Sequence, residues 1–401
     1  MGVNFFDASG LPGLRLTVIA RDMIRAGWLI FSQPATGRSL FSPAGSKLKA
    51  ARVMLWLFPI HSIETLMAPS SPLISRPNIR RNLADTLFAT RLDRLFARIV
   101  SPKGIILALH RLATKVDDGP LSGLSVSLEE FRDCLDLLHA SGFEVVSMSE
   151  AITRLDRAGA SPRFAVLTFD DGYRDNCSLL LPELLQRRIP ATIYLTTGFI
   201  DRTAPMWWYG IESLLKTHGA IALKGEETDD FEALHGRLLN SSPEWLASAL
   251  SALEQRYKVR FSDFTDQHAM DWSMVRDAAA SGLVELGAHG LSHSPLALLP
   301  DAMAHREMEG SARRIEEETG RPVAHFAYPY GDRNSVSARD VTTARDCGFA
   351  TAATSIPGLV QSRHVDRHAL RRVVLGGSGM ESRLRLSLTG LTGEQPIVGS
   401  V

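Results

Sequence analysis

Two adjacent carboxylates, Asp170 and Asp171, follow the apolar run Arg163 to Phe169 (RFAVLTF) and precede Gly172. Side by side they repel, and one is driven to protonate unless a cation neutralises the pair. Asp-Asp-Gly also makes an ordinary turn, so position after an apolar run is what raises it above that reading. A second group, His289 and His293, lies in GAHGLSHSPL. Gly287, Gly290 and Pro295 argue for a loop here rather than one helix face. Two imidazoles and a carboxylate are the ligand count of an open catalytic zinc site. No Glu stands between the histidines, so the helical zinc-protease motif does not apply. A histidine pair also occurs as plain structure or surface. The third group, HFAYPYG at 325–331, offers a rigid turn whose backbone N–H groups can face a substrate oxygen, or merely an aromatic turn.

Each group follows a run with strand character, and those runs alternate with helical periodicity. Strands are expected at Ile105–Leu109, Glu144–Ser147, Arg163–Phe169, Ala191–Leu195, Val284–Gly287, Val323–Ala327 and near Ala350–Thr354. Helices are expected at Ser127–Ser141 (capped by Ser127 and Glu130), Ser149–Ala158, Leu179–Arg188, Ser273–Ser281, Asp301–Thr319 and Ser337–Cys347. Continuous apolar strands of this kind belong to a parallel sheet wrapped by helices, open or closed into a barrel. In such folds chemistry sits at the carboxyl ends of the strands. Residues 199–268 interrupt the rhythm as an insertion with a helix at Pro243–Tyr257. Residues 1–80 read as an appendage of uncertain order, followed by a helix at Asn82–Ile99, and residues 386–401 as a tail.

The 401 residues carry 44 basic and 44 acidic side chains, so no global field favours nucleic acid or anionic lipid. Cys134, Cys177 and Cys347 are too few and too scattered for a disulfide scaffold or a structural zinc site. No apolar run approaches the roughly 20 residues that span a bilayer. The longest, Val53–Ile60, follows Lys47, Lys49 and Arg52 in signal-peptide order but begins about fifty residues too late for one, unless the start is misassigned and the true one lies upstream of Met54. A cytoplasmic location is therefore expected, and oligomeric state is left open.

Taken together, TFDDGYRDN at 168–176, GAHGLSHSPL at 287–296 and HFAYPYG at 325–331 resemble the NodB-type polysaccharide deacetylases. ILALHRL at 106–112, WWYGIE at 207–212 and DWSMVRDAAASGLVELGAH at 271–289 add to the resemblance, which covers about residues 81–385. It implies an α/β fold, a distorted (β/α) barrel, here with a helical insertion and the N-terminal appendage. It implies metal-dependent N-deacetylation of an oligo- or polysaccharide, chitin-like glycans and chitooligosaccharides first among candidates. Asp171, His289 and His293 would be the metal ligands, Asp170 the catalytic base, and the Tyr330 backbone N–H an oxyanion donor. The metal would be Zn²⁺, with Co²⁺ or Mn²⁺ as alternatives.

Two departures matter. Better-known members have an arginine two residues before the third motif's proline, where this chain has Ala327. Arg372 is the favoured replacement and His325 the other candidate. The late Leu-x-His that carries the acid is missing too, which leaves His110, at the end of the first strand, as the best substitute. Trp207, Trp208, Tyr328 and Pro329 are expected to contact the glycan. His139, His218, His235, His305 and His364 lie outside any motif and are expected at the surface or in packing. The competing expectations are a hydrolase of another amide or an O-acetyl ester, and a degenerate carbohydrate-binding protein on the same fold.

Overall fold

The computed structural model describes residues 102–157, 161–361, 364–377 and 379–388, all within one unit spanning Ile60–Val401. The appendage at 1–80, the apolar run Val53–Ile60 and the helix at Asn82–Ile99 lie outside the described residues.

Eight strands form one sheet: β1 (Gly104–Leu109), β2 (Glu144–Val145), β3 (Phe164–Phe169), β4 (Ala191–Leu195), β5 (Val284–Ala288), β6 (His325–Ala327), β7 (Thr351–Ala353) and β8 (Val373–Val374). Their order is β7-β6-β5-β4-β3-β1-β8, with β2 paired to the start of β3, and every pairing is parallel. β1, β3 and β4 are buried along their whole length, which is why they carry no polar alternation. The sheet curls until its edges meet. Leu370 bridges to Ala353 of β7, and three residues on, Val373 pairs with Leu107 of β1. The short segment 370–374 thus closes the barrel and carries Arg372 across its mouth.

The helices follow from caps and spacing. Ser127 and Glu130 form a reciprocal capping box on α1 (Leu128–Ala140), which buries Phe131, Cys134, Leu135 and Leu138 on one face. After β3, the expected helix begins early, as a π-helical turn at Asn176–Leu180, before α2 (Leu181–Arg187). Asn176 within that turn donates from Nδ2 to the His110 carbonyl at 2.9 Å, tying the turn to the end of β1. The longest helix, α3 (Asp301–Thr319), has the expected bounds. A last helix, α4 (Met380–Leu388), runs past the expected boundary at 385 and buries Met380, Leu384 and Leu388 in the barrel's outer core.

The insertion contains much more than one helix. Helices Trp207–His218, Phe231–Leu239, Pro243–Tyr257 and Phe261–His268 surround a hairpin of Ile221–Leu223 and Glu226–Thr228. They enclose a separate apolar core that includes Trp207, Ile211, Leu234, Leu253 and Phe261. Only Pro243–Tyr257 was expected, because Ser242 as cap and Pro243 at the first turn mark it plainly.

Candidate active site

Because all strands of the barrel are parallel, their carboxyl ends face one mouth. Asp170 leaves β3 there, with its N–H bonded to Leu109 O at 2.9 Å. Asp171 and Gly172 then both take positive φ, 74° and 75°. For Asp171 this is a strained conformation of the kind concentrated at functional sites. A Cβ at position 172 would stand 2.9 Å from the Leu195 side chain, so glycine is required for space as well. The turn sends the two neighbouring carboxylates to different partners.

Asp170 meets Arg372. Nη1 and Nη2 donate to Oδ1 and Oδ2 at 2.8 and 2.7 Å, a bidentate pair. The guanidinium also donates from Nε to Thr354 O (2.8 Å) and from Nη1 to Thr168 Oγ1 (3.0 Å). Both residues are buried. Burial pushes the Asp170 carboxyl upward, but the Arg372 charge, with His289 behind it, overcomes that and holds the group below its usual range. His325 does not share this work. It sits at the start of β6, at the far end of the strand, between Ser149 Oγ (3.0 Å) and Thr351 Oγ1 (2.9 Å).

Asp171 meets the histidines. Its Oδ1 is 3.1 Å from His293 Nε2 and 3.4 Å from His289 Nε2. One ligand atom from each of Asp171, His289 and His293 lies within 4.8 Å of the others. His289 Nδ1 is 2.7 Å from Ala327 O, a backbone acceptor that places the proton on Nδ1 and leaves Nε2 free for the cluster. Asp171 Oδ1 and His293 Nδ1 are buried without a hydrogen-bond partner among the described residues. A buried carboxylate oxygen facing two imidazole nitrogens, with no hydrogen bond of its own, fits a divalent cation. Against the pull of burial, His293 and His289 hold the Asp171 carboxyl well below its usual range.

The loop between the histidines is tied from outside. Glu307 of α3 accepts from Leu291 N (2.7 Å), Ser292 N (2.8 Å) and Ser292 Oγ (2.8 Å). Gly290 and His293, at φ 81° and 60°, make the bends that this tether holds. Tyr330 follows β6 with φ 61°, and its ring centroid lies 4.5 Å from that of His293. Its carbonyl accepts from Ser355 Oγ, whereas its N–H has no acceptor among the described residues. His110, Asp170, Asp171, His289, His293 and Tyr330 all line one cavity of about 420 Å³. His110 Nδ1 is buried there without a partner, and burial lowers the imidazole's pKa.

The aromatic expectations divide. Trp208 lines this cavity, while Trp207 lines a neighbouring groove of about 490 Å³ that shares His293 and Tyr330 with it. Tyr328 requires correction: it is wholly buried, packs against Phe326, and donates its hydroxyl to His368 O at 2.7 Å. It follows β6 on the core side, so it faces the barrel's packing and neither cavity. Pro329 is buried and lines neither, so its place is in the turn that presents Tyr330. His235, expected in packing or at the surface, in fact lines the cavity. Sequence reasoning passed over Glu307 as well. It is one acid among several on a charged helix, and no local pattern distinguishes it.

The family model described as polysaccharide deacetylase matches residues 157–352. No curated protein matches the sequence. Similar solved structures include a Streptococcus pyogenes deacetylase, PplD, in complex with acetate, at 15% identity, covering 71% of this chain and 97% of that one with a TM-score of 0.47. IcaB from Ammonifex degensii is 18% identical, with 72% and 97% covered and a TM-score of 0.48. The BpsB deacetylase domain from Bordetella bronchiseptica is 22% identical, with 67% and 94% covered and a TM-score of 0.43. The matched segment runs from the strand before Asp170 through the turn that carries Tyr330, and over it the chain carries a polysaccharide deacetylase domain.

Proposed function

We propose that the protein hydrolyses N-acetyl groups from amino sugars of an oligo- or polysaccharide, with a divalent cation, zinc first among candidates, held by Asp171, His289 and His293. The observation that carries this reading is the convergence of those three side chains with the ionised Asp170 in one cavity. When bound, such a cation supplies Lewis-acid polarisation of an acyl oxygen and lowers the pKa of a water toward ~7.

The chain's own residues divide the remaining work. Asp170, kept ionised by Arg372, accepts the proton of the attacking water. The free Tyr330 N–H donates to the oxygen on which negative charge develops; one such donor is typically worth about 3–4 kcal/mol of barrier. The amine that leaves an amide must be protonated, and His110, whose ring opens on the same cavity, supplies that proton from its imidazolium form, which burial disfavours and the neighbouring Asp171 and Asp170 charges favour. Arg372 is a positioning residue, touching Asp170 rather than substrate.

The test is acetate release from a panel of N-acetylated and O-acetylated glycans by metal-stripped protein, alone and with Zn²⁺, Co²⁺ or Mn²⁺. Metal-restored release from N-acetylated glycans is the expected result. Release from O-acetyl esters alone, or none from any glycan, would refute the reading.

A further inference from the structure

The helix Phe231–Leu239 belongs to the insertion rather than to the barrel, yet it turns Phe231, Glu232 and His235 toward the cavity that holds Asp170 and Asp171. His235 is held like a leaf between two rings. Its centroid is 4.9 Å from that of Trp207 at 33°, and 5.6 Å from that of Phe231 at 24°. Trp207 comes from the preceding insertion helix and Phe231 from one turn back on the same helix, so two elements fix the imidazole plane. Such a clamp removes rotamer freedom before any ligand arrives, which lowers the entropy cost of a later contact.

The ring is nevertheless unspent. Neither nitrogen of His235 has a hydrogen-bond partner among the described residues, although the ring is half-buried. Burial keeps the imidazole neutral, so it presents one donor and one acceptor. A pyranose carries hydroxyls that both give and accept hydrogen bonds beside apolar C–H faces. The wall built by the insertion has both kinds of partner: Trp208 and Phe231 for the faces, His235 and the exposed Glu232 carboxylate for the hydroxyls.

We infer that His235, clamped between Trp207 and Phe231, is a substrate-binding residue of a saccharide subsite built by the insertion, where it hydrogen-bonds sugar hydroxyls and selects glycans over small acetylated compounds. The subsite rests on the deacetylase reading above and adds to it a recognition residue that the barrel motifs do not contain.

His235→Phe keeps the ring stack and removes both polar atoms, whereas His235→Gln restores a donor and an acceptor without the ring. The loss of one or two neutral hydrogen bonds should raise KM for N-acetylated chitooligosaccharides roughly 3–10-fold in His235→Phe, with kcat little changed. Turnover of 4-nitrophenyl acetate, which has no sugar to hold, should be affected much less than glycan turnover, and His235→Gln should recover much of the glycan affinity. Unchanged glycan kinetics in His235→Phe, or equal losses on glycan and 4-nitrophenyl acetate, would overturn the subsite while leaving the deacetylase reading standing. If the unmodified chain released no acetate from any glycan, the deacetylase reading would fall, and the subsite with it.

Discussion

Arg372 and Asp170, 202 residues apart in sequence, are joined by two parallel hydrogen bonds of 2.8 and 2.7 Å inside the closed barrel. The pairing depends on closure: Arg372 lies between Leu370, which bridges to β7, and Val373, which pairs with β1. An arginine delivered by the closing strand is therefore the one that pairs with Asp170, and we propose for it the role that Ala327 leaves open at the end of β6. Among the described residues the buried guanidinium pairs with no other carboxylate, and it also donates to Thr354 and Thr168.

Arg372→Lys keeps a positive charge but loses the fork, so the carboxylate of Asp170 is held less firmly. Burial raises the Asp170 pKa and Arg372 lowers it; weakening the second effect moves the pKa up. Activity needs the ionised form and is lost as pH falls through that pKa. The acid limb of the kcat/KM profile should therefore shift to higher pH, with metal content retained. An unshifted limb in a folded variant would remove Arg372 from the positioning of Asp170.

Asp170→Asn preserves shape and removes the proton acceptor. Turnover should fall by about 10²–10⁴, the usual worth of a general base, while bound metal stays stoichiometric by atomic absorption. Loss of metal in this variant would mean that the roles of Asp170 and Asp171 are exchanged.

His110→Ala should depress amide hydrolysis far more than hydrolysis of an activated ester, whose leaving group departs without a proton. The comparison is kcat for an N-acetylated chitooligosaccharide against 4-nitrophenyl acetate. Equal losses would remove His110 from that role and leave the amine's proton to another donor.

Glu307→Ala frees the loop that carries His293, because three hydrogen bonds to Leu291 and Ser292 disappear together. Metal affinity should drop by about 10–100-fold, the range for residues that orient ligands from behind. Competition against a chelator measures it; unchanged affinity would mean that the backbone bonds Thr197 N–H to Gly290 O (3.1 Å) and Gly198 N–H to Leu291 O (2.8 Å) hold the loop unaided.

Much of this arrangement was legible because it is local. The capping pair Ser127 and Glu130, the apolar runs of β1, β3 and β4, and the bounds of α3 all follow from neighbours in sequence. Asp170, Asp171, His289 and His293 stood out because polar residues followed core strands. Arg372 was legible only through an absence, at Ala327. What stayed hidden is what tertiary packing decides. Val373–Val374 is too short to show a period, and the insertion helix Trp207–His218 buries residues around most of its girth. His235 becomes a cavity residue only once Trp207 and Phe231 enclose it. Tyr328 and Tyr330, two residues apart, look alike in sequence, and only the positive φ at Tyr330 separates the cavity from the core.

The most direct test of the central claim is a crystal structure of the protein with added Zn²⁺, collected at the zinc edge so that anomalous scattering locates the ion. The account predicts one fully occupied site, roughly 2.0–2.2 Å from Asp171, His289 Nε2 and His293 Nε2, with Asp170 nearby and still paired to Arg372. Zinc bound elsewhere, or no anomalous peak among Asp171, His289 and His293 in protein that still releases acetate from a glycan, would contradict it.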